Sequence, residues 1–111
     1  MYLHGRGVPK DEVAAAHWYR RAAEQGEVVS QFDLGWMCAN GRGVAKDEAE
    51  AIRWYRQAAA QGYAAAQCNL GWMLENGRGV PKDLSQALAW YRKSAAQNLP
   101  RAQDALRRLG Q

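Results

Sequence analysis

Two tryptophans, Trp36 and Trp72, sit in the same short run, Leu-Gly-Trp-Met, 36 residues apart in a chain of 111. Their neighbours repeat with them. On a helix turning about 100° per residue, Val29, Phe32, Asp33, Trp36 and Asn40 fall on the side away from Leu34. The next stretch places Ala65, Cys68, Asn69, Trp72 and Asn76 there, and the last places Arg101, Asp104, Ala105 and Arg108. The chemistry such a stripe supports is recognition. Trp and Arg dominate the binding energy of many interfaces, and Asn pairs with a peptide's backbone amide. A structural reading stands beside it, in which Trp36 and Trp72 wedge between neighbouring helices and hold a stack together.

Reactive chemistry finds little support. Cys38 aligns with Leu74 and Cys68 with Phe32, so the cysteines occupy different places on equivalent helices. That offset is roughly 9 Å along a helix axis, whereas a disulfide needs Cα atoms within about 7 Å. Two unpaired small side chains, in the core or in a groove, are expected. His17 aligns with Arg53 and Ala89, His4 with Asn40 and Asn76, and neither sits in a zinc-ligand spacing. No metal site and no cofactor are expected. Ser30, Ser85 and Ser94 lack a recurring His or Asp partner, and the chain has no Thr. The Gly-Arg-Gly loops lack the Gly-Lys-Ser/Thr that completes a phosphate-binding loop. The reading is therefore non-enzymatic.

The elements that hold the stripe follow from the repeat. Gly-Arg-Gly-Val begins at Gly5, Gly41 and Gly77, and Trp-Tyr-Arg begins at Trp18, Trp54 and Trp90, with 36 residues between copies and no insertion. A fixed period in the range of about 20–50 residues marks a solenoid, whose units bury their apolar faces only against neighbours. Each unit predicts two helices. In the second, residues 28–39 form the first, with Ser30, Leu34 and Cys38 on one face, ended at Asn40-Gly41 by a glycine free to adopt positive φ. Gly43 allows a further turn, and Val44 anchors the loop on the core. Asp47 caps the second helix, with Glu50 completing a capping box; Asp83 and Gln86 repeat it, while Asp11 caps without a partner. Ala51, Tyr55, Ala58 and Ala59 line the inner stripe beside Trp54. Gly26, Gly62 and Asn98 stop the second helices.

The ends differ. Met1 aligns with Met37, so the first unit, 1–27, has lost nearly all of its first helix; units 28–63 and 64–99 are full, and Pro100 opens a capping helix over 100–109. Arg107 and Arg108 replace the Gly-Trp of earlier units and suit a face turned to water. The open stripe of the first unit, Ala15, Tyr19, Ala22 and Ala23 beside Trp18, invites pairing with a second copy, and a two-fold arrangement closes on itself.

Composition adds bounds. Apolar residues make up 48% and charged ones 23%, as in ordinary globular proteins. No run of about 18 apolar residues predicts a membrane helix, and the first residues show no signal-peptide pattern. Compartment is left open. The net charge of +4 is read as a solvated surface rather than a nucleic-acid site. Arg20, Arg21, Arg53, Arg56, Arg92 and Lys93 are expected on the outer, solvated face of the second helices, and Arg6, Arg42 and Arg78 recur in the loops without an evident reason.

Taken in order, Leu-Gly-Trp-Met, Asn-Gly-Arg-Gly-Val, Lys-Asp, Ala-x-x-Trp-Tyr-Arg and Ala-Ala-x-Gln-Gly resemble the Sel1-like repeat, a relative of the tetratricopeptide repeat. The resemblance covers essentially the whole chain. It implies an all-α, right-handed α/α superhelical solenoid of helix-turn-helix units, acting as an adaptor or scaffold, with many bacterial members. Some bacterial members are secreted and carry a disulfide within each repeat; the two cysteines here do not recur in that way. By analogy with the tetratricopeptide superhelix, the first helices line the concave surface. The stripe of Val29, Phe32, Asp33, Trp36, Asn40, Cys68, Asn69, Trp72, Asn76, Arg101, Asp104 and Arg108 would then floor a groove for a protein or peptide partner. An RNA-binding helical array is the alternative, disfavoured because Asp33, Asn69 and Ala105 form no consistent polar code.

Overall fold

A computed structural model describes residues 9–111. The readings made on Met1 to Val8, including the missing first helix and His4, lie outside the described residues. Six helices follow in order: α1 (Pro9–Glu24), α2 (Val28–Asn40), α3 (Glu48–Ala60), α4 (Ala64–Asn76), α5 (Leu84–Ala95) and α6 (Pro100–Arg108). There is no strand among the described residues. Each helix packs on the next in sequence, so the chain is a helical solenoid with a period of about 36 residues. Its long dimension is 43 Å and the others 25 and 24 Å.

Local chemistry sets the boundaries. Asp47 accepts from the Glu50 N–H at 3.0 Å, and Asp83 from the Gln86 N–H at 3.0 Å, as N-caps do. The reciprocal half of the capping box is not made. The backbone N–H groups of Asp47 and Asp83 instead donate to the Cys38 and Leu74 carbonyls, at 2.8 and 2.9 Å. Those bonds tie each second helix to the end of the first, which leaves the Glu50 carboxylate free for other work. Asp11, unlike Asp47 and Asp83, is not a cap. Helix α1 already runs from Pro9, whose fixed φ suits a first turn, and Asp11 lies within that turn near the positive end of the helix dipole. One cap went unread in the sequence: Glu27 accepts from the N–H of Ser30 at 2.8 Å and from its hydroxyl at 2.5 Å.

The core runs along the axis as a column. Leu34 and Leu70 are fully buried, with Ala51, Ala58, Ala59, Tyr55 and Tyr91 around them. The small residues let the helices approach closely. Gly35 and Gly71 have their own reason: a Cβ at either would stand 2.9 Å from the ring of Tyr55 or Tyr91.

Polar ties cross each repeat boundary. Gln31, nearly fully buried, donates to the Ala23 carbonyl at 3.2 Å and accepts from Gln61 at 2.9 Å. One repeat on, Gln67 donates to Ala59 at 3.2 Å and accepts from Gln97 at 3.1 Å. Gln103 continues the series toward Ala95 at 3.4 Å. This glutamine ladder adds a second donor to carbonyls at the ends of the second helices, which also accept from the backbone N–H groups of Gly26, Gly62 and Asn98. Arg20 is likewise not on a free outer face. It donates to Glu50 at 2.7 Å, and the same carboxylate accepts from the Trp54 indole at 3.1 Å. Ser94 is fully buried and donates to the Ala64 carbonyl at 2.8 Å.

Candidate partner-binding groove

The first helices α2, α4 and α6 lie along one side of the solenoid, and a cleft of about 780 Å³ opens across them. Trp36 and Asn40 come from α2, Cys68, Asn69 and Trp72 from α4, and Arg101, Asp104, Ala105 and Arg108 from α6. Tyr55 and Tyr91 reach it from the second helices, and Lys46, Glu48 and Arg78 from the connecting segments and the start of α3.

Four of the expected residues lie elsewhere. Val29 is exposed at the start of α2, outside the cleft. Phe32 packs on the core, with its ring 5.3 Å from that of Tyr63 and 5.7 Å from that of Tyr55. Asp33 is half-buried beside it, and desolvation, then the nearby Glu27 charge, raises its carboxyl above the ordinary value. Asn76 donates to the Trp72 carbonyl at 2.9 Å. Asn40, which does line the cleft, donates to the Trp36 carbonyl at 2.8 Å. Both asparagines therefore fold back on the last turn of their own helix, which engages one of the two amide donors of each.

The tryptophans are not core residues. Trp72 is 47% exposed and Trp36 is half-buried, and neither belongs to the packed column. The loop arginines explain their setting. Arg42 lies over the Trp36 ring at 5.9 Å while pairing with Glu12, and Arg78 lies over Trp72 at 5.6 Å while pairing with Glu48. Each arginine thus bridges a carboxylate of the preceding unit and an aromatic face of its own. The signal was present in the sequence, since Glu12 and Glu48 share the 36-residue register of the arginines.

Charge in the cleft is unevenly matched. Glu48 pairs with Arg78 and Asp104 with Arg107. Arg108 grips Glu75 through two bonds, Nη1 to Oε2 at 2.7 Å and Nη2 to Oε1 at 3.0 Å, and the Tyr91 hydroxyl donates to the same carboxylate at 2.7 Å. These partners hold the Glu75 carboxyl below the usual range, and Arg108 is bound to α4 rather than simply facing water. Lys46 and Arg101 have no acidic partner among the described residues. Arg101 instead donates to the Asn69 side chain at 3.2 Å. Asn69 also interacts with the hydroxyl of Tyr55, which burial pushes up to about 12 against the pull of that contact. Both cysteines are free and buried, and desolvation raises their thiols, Cys38 to about 11. No group of three or more His, Cys, Asp or Glu side chains among the described residues comes together to hold a metal ion. No helix among them is long and apolar enough to cross a membrane.

The Sel1 repeat model matches residues 1–27, 28–63 and 64–99. The chain belongs to the Sel1 repeat family. Solved Sel1-type structures superpose on it. A protective antigen of uropathogenic Escherichia coli with an SLR fold shares 41% identity at a TM-score of 0.80, over 81% of this chain and 19% of that one. A Sel1 repeat protein from Oxalobacter formigenes shares 41% identity at a TM-score of 0.78, over 81% of this chain and 37% of that one. The Helicobacter pylori cysteine-rich protein B shares 25% identity at a TM-score of 0.77, over 82% of this chain and 68% of that one. The chain thus spans about a fifth and about a third of the length of the first two. No curated protein sequence matches it. Sel1 repeats are generally non-enzymatic scaffolds for protein interaction, and the bacterial relatives share this helical solenoid.

Proposed function

We propose that this Sel1 repeat array is a protein-interaction module that takes an extended segment or a helix of its partner in the groove across α2, α4 and α6. The observation that carries the reading is the exposed indole of Trp72, beside Trp36, in a cleft with arginines along it. Solvent-exposed Trp and Arg in a concavity are the side chains that anchor interfaces. The RNA reading has no such support. Asp33, Asn69 and Ala105, at equivalent positions of successive units, offer no repeated polar contact.

The test is affinity capture with wild type beside the Trp36→Ala/Trp72→Ala double variant, each also melted. Loss of the captured partner with helicity and melting nearly intact is the expected result, each tryptophan contributing about 2 kcal/mol or more to binding. A stability loss of about 3–5 kcal/mol, as for a buried Trp removed from a core, makes the pair structural and overturns the reading.

A further inference from the structure

The charge around the groove narrows what can lie in it. Every carboxylate that lines the cleft already has a cation: Arg78 for Glu48 and Arg107 for Asp104. The Arg108 cation is matched by Glu75. That leaves Lys46 and Arg101, both exposed and both without an acidic partner among the described residues. Arg101 is moreover held in place. Its guanidinium bonds one acceptor, Oδ1 of Asn69, at 3.2 Å. A guanidinium has five N–H donors, so one neutral acceptor leaves most of them open. Resting on the groove reading above, we propose that the occupant is an acidic peptide segment, its carboxylates meeting Arg101 and Lys46 and an apolar side chain lying on Trp72. An arginine with free donors forms short, charge-assisted bonds to a carboxylate, about twice as strong as neutral ones. The other arginines add less, because a new anion must compete with the carboxylates they already hold. A nucleic acid is a poorer fit: it brings a phosphate at every step, and the groove offers two unmatched cations among fixed carboxylates.

The experiment is selection from a displayed random library of peptides of about 12 residues, about 40 Å when extended, close to the 43 Å length of the molecule. It is run on the full chain as wild type, as Trp72→Ala and as Lys46→Glu/Arg101→Glu, with circular dichroism melts confirming that all three fold alike. Wild type should enrich Asp- and Glu-rich peptides that Trp72→Ala fails to hold. The charge-reversed variant should lose those peptides by about tenfold or more in affinity, equivalent to about 1.4 kcal/mol, and should enrich Lys- and Arg-rich ones instead. Trp72-dependent peptides with no acidic bias, or an acidic bias untouched by the charge reversal, overturn this inference while leaving the groove standing. A library with no Trp72-dependent binder overturns the groove and the inference together. A parallel titration with fluorescein-labelled oligouridylate that binds in a Trp72-dependent manner overturns the peptide identity in favour of single-stranded RNA.

Discussion

Alanine at Gly79 should damage the fold far more than alanine at Gly62, although both glycines have left-handed backbones. Their φ values are +74° and +90°. An L-residue in that region costs about 1–2 kcal/mol, and the loss of unfolded-state freedom on going from Gly to Ala is shared by both sites, so it cancels in the comparison. The surroundings differ. At Gly62 an added Cβ meets nothing within 4 Å, whereas at Gly79 it falls 2.4 Å from the Glu48 carbonyl oxygen and 2.5 Å from its carbon. Glu48 is the first residue of α3, so the obstacle is helix backbone and cannot swing aside as a side chain does. Overpacking of that kind adds about 1–3 kcal/mol, and moving the loop also pulls Arg78 from Glu48. The expected losses are about 1–2 kcal/mol for Gly62→Ala and about 2–5 kcal/mol for Gly79→Ala. Urea unfolding read by circular dichroism at matched slopes measures both. Losses equal within about 0.5 kcal/mol would show that the loop yields freely, and would refute the close approach as the reason for this glycine.

The Glu75 carboxyl, lowered from 4.5 by Arg108 and then by Tyr91, contributes stability that is complete above pH 4.5 and is lost as pH falls through the depressed folded-state value. Melting temperature against pH should therefore fall less steeply below pH 4.5 in Glu75→Gln than in wild type; parallel profiles would remove Glu75 from the acid response. Gln67→Leu should cost about 1 kcal/mol by removing a buried side chain's hydrogen bonds to the Ala59 carbonyl and from Gln97. The exposed Gln97→Leu should cost less, and chemical denaturation of the pair gives the order. Trp18 is 62% exposed on α1 where its counterpart Trp54 is 8% exposed. Pairing of two copies through that face is the expected association. Light scattering showing a well-folded monomer at high micromolar concentration would rule it out.

How much of this was legible in the sequence follows from the kind of signal each residue leaves. The period placed Leu34, Tyr55, Ala58 and Pro100 because a one-dimensional repeat makes every core contact recur at a fixed spacing. The left-handed stops at Gly41 and Asn98 were readable for the same reason: backbone conformation selects residue type locally. What escaped were side chains whose partner sits in another repeat. Glu50 looks like the second half of a capping box, yet its carboxylate serves Arg20 across the boundary, as well as Trp54 one turn on in its own helix. Phe32 escaped for a different reason: it falls on the groove face by rotation alone, but two tyrosines of its own repeat, Tyr55 and Tyr63, draw it into the core. Arg42 and Gln31 form ties that become visible only when positions in one unit are compared with different positions in the next. Of the residues expected on the stripe, Trp36, Asn40, Cys68, Asn69, Trp72, Arg101, Asp104 and Arg108 line the cleft. Its charge balance was not legible, because that depends on which cations the carboxylates claim.

The glutamine ladder and the arginine pairs share one further property. Gln31 with Gln61, Gln67 with Gln97, Arg20 with Glu50, Arg42 with Glu12, Arg78 with Glu48 and Ser94 with Ala64 are all separated by 30 residues in the chain. The three arginine–glutamate pairs each cross a single repeat boundary, whereas the Gln31–Gln61, Gln67–Gln97 and Ser94–Ala64 contacts close one unit on itself. A tensile load applied at the ends of the array is therefore carried in series, by one boundary after another, with no clasp among the described residues that skips a unit. The array would lengthen in discrete steps, each releasing about 120 Å of extended chain for one repeat, while the units still folded keep their own boundaries intact.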